Sequence, residues 1–140
     1  MKLRTQLKNN QLAIISLVVA LTALGYNTWR NELTEHNRNV RQAGFEILLN
    51  IAELQQITYL AHYDRNMVEG NPRKGWARVL VIKDLARLMP EPAQLQTDEL
   101  ALAWERNWAG LGKEDSAVAA IDAAIDETRE DVLSALRELD

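Results

Sequence analysis

The chain has 140 residues, 47% of them hydrophobic, and a formal net charge of −4 from 16 basic and 20 acidic side chains, with no cysteine. The missing thiols exclude disulfides, thiolate nucleophiles, iron–sulfur clusters and cysteine-ligated zinc. The mildly acidic balance argues against a nucleic-acid partner, which needs clustered Lys and Arg against phosphate.

Charge is unevenly placed. The first thirty residues carry Lys2, Arg4, Lys8 and Arg30 and no acid, whereas acidic residues outnumber Lys113, Arg129 and Arg137 from position 113 onward. After the basic tail 1–8, no charge occurs from Asn9 to Trp29, and the middle of this run, Leu12 to Tyr26, is almost wholly apolar. A helix rises about 1.5 Å per residue, so the run is about long enough to cross a hydrocarbon layer of roughly 30 Å. Residues 9–29 therefore read as a transmembrane anchor. Two other readings fit the same segment. Leu12 to Leu24 has the length of a signal-peptide core followed by small residues, and a soluble core helix can be equally apolar. Tyr26 and Trp29 favour the anchor, because amphipathic aromatics sit at the membrane interface and the helical pattern continues past Arg30 without a break. Basic residues near the span almost balance, Lys2, Arg4 and Lys8 against Arg30, Arg38 and Arg41. The expected orientation puts the tail in the cytoplasm and the rest in the periplasm of a bacterial inner membrane, with a cytoplasmic domain as the alternative. Ala13, Ser16, Ala20 and Ala23 fall along one side of this helix, where small side chains let a second helix approach closely; Ala and Ser are also simply common in such segments.

Residues 30–42 are polar nearly all round and contain neither Pro nor Gly, as a helical stalk would be. A seven-residue recurrence of Leu33, Val40, Ile47, Leu54, Ala61 and Val68 extends the same helix to about Glu69. Gly70 closes it, with Asn71 and Pro72 as the next N-cap and first helical position. The second helix carries Trp76, Val79, Leu80, Ile82, Leu85 and Leu88 to about Met89, where Pro90 and Pro92 stop it. Thr97 or Asp98 caps a short third helix that aligns Leu100, Trp104 and Trp108, and Gly110 and Gly112 end it. A fourth begins near Ser116 with Val118, Ile121, Ile125, Thr128, Val132, Ala135 and Leu139 in a seam. The fold class is all-α: an N-terminal transmembrane helix continuing through a stalk into an up-down bundle of three to four helices, the bundle spanning 43–140.

Few residues carry chemistry. Glu32 and His36 are helix neighbours, but the pair leaves a metal mostly held by water, and the paired Glu-x-x-His motifs of a di-iron bundle are missing. Tyr59, His62, Tyr63, Asp64 and Arg65 form a denser group, in which a histidine beside a carboxylate is a candidate polar site or pH sensor. No nucleophile or oxyanion donor accompanies it. Trp104 and Trp108 are candidates for a partner surface, since indole anchors interfaces, although their position on one helical face with Leu100 favours the bundle core.

No cofactor or metal is expected, and the expected partners are the lipid bilayer and either another protein or a second copy of the chain. The span and its Tyr26-Asn27-Thr28-Trp29-Arg30-Asn31-Glu32 boundary resemble those of small single-pass bacterial membrane proteins, a resemblance that implies no activity. The first expectation for function is a membrane-anchored adapter or regulatory domain without catalysis. The alternatives are a small-molecule sensing bundle acting through a partner, or a soluble periplasmic helical protein after signal removal.

Overall fold

A computed structural model describes residues 10–139; the basic residues Lys2, Arg4 and Lys8 and the terminal Asp140 lie outside the described residues. Four α-helices follow one another: α1 (Gln11–His62), α2 (Pro72–Ala86), α3 (Ala93–Asn107) and α4 (Asp115–Arg137), with a 3₁₀ turn at Trp108–Gly110 between the last two. Among the described residues there is no strand. The chain divides within α1 into two compact units, Met1–Asn37 and Arg38–Asp140.

In the first unit the described residues form the N-terminal part of α1. None of its most apolar stretch is buried, so this segment is not a core helix within the chain. Leu12, Ile15, Leu17, Val19, Leu21 and Leu24 are all exposed. The hydroxyls of Thr22 and Thr28 donate back to the carbonyls of Val18 (2.8 Å) and Leu24 (3.0 Å). Each therefore needs no water partner.

The second unit is an antiparallel four-helix bundle. Along α1 and α4, the Gly44 backbone faces Leu136, Gln55 meets Arg129 and His62 meets Asp115, so positions rise on one helix as they fall on the other. Arg78 on α2 reaches Asn50 and Glu53 on α1. Gly75 and Lys83 face Trp104 and Asp98 across α2 and α3. Gln96 on α3 donates to Glu127 on α4 at 2.9 Å. Val40, Ile47, Ile51 and Leu54 from α1 meet Val79 and Ile82 from α2, Leu100 and Trp104 from α3, and Ile121, Ile125 and Val132 from α4 in one core.

Several expectations shift in detail. The seven-residue recurrence is buried only from Val40 to Ala61; Leu33 and Val68 are exposed, the latter at 74%. Burial of Val40 means that packing begins inside the stretch read as stalk. Helix α1 stops at His62 rather than near Glu69. Arg65 turns left-handed (φ 50°), and the Asn66 side chain accepts the backbone N–H groups of Val68 and Glu69, which builds a turn where a helix pattern alone would continue. Asn71 does cap α2, accepting from the Arg73 N–H at 2.9 Å, with Pro72 at the first helical position. Helix α3 starts at Ala93, one turn before Thr97. Thr97 is instead buried mid-helix with its hydroxyl on the Gln94 carbonyl, while the Glu91 carboxylate accepts the Leu95 N–H. The Trp108 N–H still bonds the Trp104 carbonyl as in an α-helix, and only then does Trp108–Gly110 tighten to a 3₁₀ turn; Trp104 is buried, and Trp108, at the helix end, is exposed.

Candidate functional site

The polar residues singled out near the end of α1 separate into two arrangements. In the first, Tyr59 does not pair with His62 but with α4. Its hydroxyl accepts from the Gln55 amide at 3.1 Å and lies against the Asp122 carboxylate. The Gln55 carbonyl in turn accepts from Arg129 at 2.8 Å, and Arg129 also holds Asp126. One oxygen of Asp122 is buried without a hydrogen-bond partner. Burial pushes the Asp122 carboxyl above its ordinary range, hydrogen bonds from Tyr59 and Gln55 pull it back, and the Asp126 charge raises it further. The Tyr59 hydroxyl is raised as well, first by burial and then by the Asp122 charge. Asp122 carries no motif in the sequence, because it sits among many acids on α4; its proximity to Tyr59 follows from the helix pairing.

In the second arrangement the buried His62 ring is held at both nitrogens. The Gly112 N–H donates to Nδ1 at 3.1 Å, which leaves the ring proton on Nε2, 3.1 Å from the Asp115 carboxylate. The carboxylate within reach of His62 is therefore Asp115, and Asp64 is an exposed residue of the following turn. With both nitrogens occupied, His62 ties α1 to the α3–α4 loop and has no lone pair free to take a substrate proton. Tyr63 packs edge-on against His62 and Tyr59, at ring-centroid distances of 4.8 and 5.7 Å. Among the described residues no group of three His, Asp or Glu side chains converges as metal ligands would.

The two tryptophans part company. Trp104 is wholly buried, with its six-membered ring against the Gly75 backbone, and so is not part of a partner surface. Trp108 is 38% exposed. It forms one wall of a cleft of about 420 Å³ at the loop end of the bundle, together with Met67, Pro72 and Leu111. Arg65 and Lys113 are the charged side chains lining this cleft, and both are cationic. Neither makes an ion pair among the described residues.

The two loops that form the cleft are pinned. Gly112 adopts φ +79°, and a Cβ there would lie 3.1 Å from the Ala61 carbonyl oxygen, so the His62 tie suits glycine at that point. On the other side, Gly70 donates to the Asn66 carbonyl at 2.8 Å. Sequence reasoning missed the cleft because Arg65 and Lys113 are far apart in the chain and only the antiparallel closure of the bundle brings them together.

On the first unit, Ala13, Ser16, Ala20 and Ala23 are all exposed on α1, as are Tyr26 and Trp29, whose rings lie 6.2 Å apart. No family model, no curated protein and no solved structure matches this chain.

Proposed function

We propose that the chain is a single-pass membrane-anchored helical bundle that engages another envelope component and carries out no reaction of its own. The observation behind this reading is the uncharged run Asn9–Trp29, which from Gln11 onward lies on a helix whose large apolar side chains are left uncovered. Burying a side chain such as Leu, Ile or Val contributes about 1.5–3 kcal/mol. Leaving eight of them from Leu12 to Leu24 in water therefore forfeits on the order of 10 kcal/mol, comparable to the whole stability of a small domain. A lipid environment removes that cost. The self-satisfied Thr22 and Thr28 hydroxyls and the aromatic pair Tyr26 and Trp29 accord with it.

In this reading the tail lies in the cytoplasm and the bundle in the periplasm of a bacterial inner membrane. The stripe Ala13, Ser16, Ala20 and Ala23 offers a close contact for a partner helix or a second copy. The absence of a proposed reaction rests on His62, whose nitrogens are both committed to structure.

Carbonate washing of membranes tests the anchor. Full-length chain retained in the pellet, with an intact N-terminus by mass, is the expected result. Release of the full-length chain into the supernatant refutes it, and loss of the first residues with a soluble remainder identifies a cleaved signal. Capture from detergent-solubilised membranes should return a stoichiometric companion, and a reporter fused after position 140 should work only in the periplasm.

The cleft beside Trp108 favours a second reading, a bundle that senses a small molecule and signals through that companion.

A further inference from the structure

We infer that the loop-end cleft binds a small aromatic carboxylate, its ring against Trp108, Met67 and Pro72 and its charge between Arg65 and Lys113. The inference deepens the sensing reading and does not depend on the anchor.

Four features of the cleft converge on this ligand class. A volume of about 420 Å³ falls within the range of sites that enclose small organic molecules. The walls are an exposed indole, a thioether and a pyrrolidine ring, surfaces that favour a flat polarisable ring over a branched chain. The charged side chains that line the cleft share one sign, and neither is spent on an ion pair within the described residues. Arg65 offers a planar fork suited to a carboxylate, and Lys113 adds a point charge.

Asp64, Glu114 and Asp115 lie close to these cations in the chain, but none of the three is among the lining residues, so the charged side chains that face the cleft are Arg65 and Lys113. The cleft is also preformed, because hydrogen bonds from Gly112 to His62 and from Val68 and Glu69 to Asn66 hold both loops before any ligand arrives. Binding then loses little to loop ordering.

The test uses the full-length chain in nanodiscs of phosphatidylcholine, titrated calorimetrically with 2-naphthoate and with its uncharged analogue 2-naphthamide, after subtraction of partitioning into empty nanodiscs. One naphthoate should bind per chain, with the amide about tenfold weaker or worse, the usual effect of losing a charge-assisted hydrogen bond. The double variant Arg65→Gln/Lys113→Gln should weaken naphthoate about tenfold and leave the amide and the melting temperature unchanged. Trp108→Ala should weaken both compounds. Arg137→Gln, at the opposite end of α4, should change neither. Equal affinity for acid and amide, naphthoate binding undiminished in the double variant, or an Arg137→Gln effect as large as that of the double variant would each overturn the proposal. Failure of the chain to enter nanodiscs would refute the anchor instead; the same titration on the chain in free solution then still decides for or against the cleft.

Discussion

Replacing Gly75 by alanine should destabilise the bundle, although the same exchange on an exposed helix stabilises by about 1 kcal/mol. A Cβ at position 75 would lie 2.1 Å from Cζ2 and 2.3 Å from Cη2 of Trp104, far inside van der Waals contact. Trp104 is fully buried against Leu100 and the rest of the core, so the ring has no free space into which to move. A contact this short puts the overpacking cost in the upper part of the usual range, about 2–3 kcal/mol, which outweighs the propensity gain and leaves a net loss of about 1–2 kcal/mol. In a unit of this length that lowers the melting temperature by about 4–16 °C.

Trp104→Phe removes the ring atoms that collide and also the buried indole N–H, which has no hydrogen-bond partner. Its own cost should therefore fall short of the usual penalty for shrinking a core side chain. Combined with Trp104→Phe, the Gly75→Ala exchange should become neutral or stabilising, a coupling of about 2 kcal/mol in a double-mutant cycle. Circular dichroism melts of the four full-length proteins in one detergent measure all the terms. A higher melting temperature for Gly75→Ala alone, or additive effects in the double variant, would show that Trp104 does not occupy the space above Gly75.

Further outcomes follow from the same geometry. Gly70→Ala should cost about 3 kcal/mol or more, because its Cβ would meet backbone atoms of Leu60 and Ala61 at 2.4–2.8 Å. Gly44→Ala should be close to neutral by the same melts, since it meets only the rotatable Leu136 side chain and gains helix propensity. Asp122→Asn should raise the melting temperature at pH 7 by about 2 °C, the size of a ~0.5 kcal/mol change. The folded state holds the Asp122 proton more tightly than the unfolded chain, so this residue's favourable contribution is complete below about pH 4 and disappears as pH rises through the raised folded value. The advantage of asparagine should shrink accordingly when melts are repeated at pH 4, and a pH-independent difference would count against the buried carboxyl. His62→Ala, which strands the Gly112 N–H, should cost about 1–3 kcal/mol, whereas Asp115→Ala, at an exposed carboxylate, should stay within about 1 kcal/mol in the same assay.

Much of the fold is legible in the sequence because it depends on local spacing. The steps of three and four from Val118 to Ala135 mark the buried seam of α4, and Asn71–Pro72 marks the start of α2 within a residue. Reading fails where a turn is built from side-chain capping rather than Gly or Pro. Asn66 shapes the turn after α1 without leaving a break in the apolar recurrence, and the recurrence therefore assigns Val68 to a helix it does not join. Pro92 misleads in the opposite sense: a proline that stops one helix is compatible with the first turn of the next, so α3 begins at once. Trp108 keeps the α-helical hydrogen bond to Trp104, but it stands at the end of α3, where the packing that covers Trp104 gives way to the loop-end cleft, and spacing alone does not show where that cover stops. The contacts from α1 to Asp115, Gly112 and Asp122 depend on how antiparallel helices align, and no local pattern encodes that register.

The glycines of the bundle show how its core and its cleft are connected physically. Gly44 gives way to Leu136 between α1 and α4, Gly75 to Trp104 between α2 and α3, and Gly110 to Ala117 where the 3₁₀ turn meets α4. At each crossing a missing side chain on one element is filled by a side chain from another, so close approach is achieved with little room for sliding. The third crossing fixes the segment directly after Trp108, and the His62 tie fixes Gly112 two residues later. The wall of the cleft thus inherits its rigidity from helix packing, while its charge comes from Arg65 and Lys113, which contribute nothing to the core. Stability and recognition therefore rest on different side chains at this end of the bundle, and exchanging the two cations should alter binding without altering the fold.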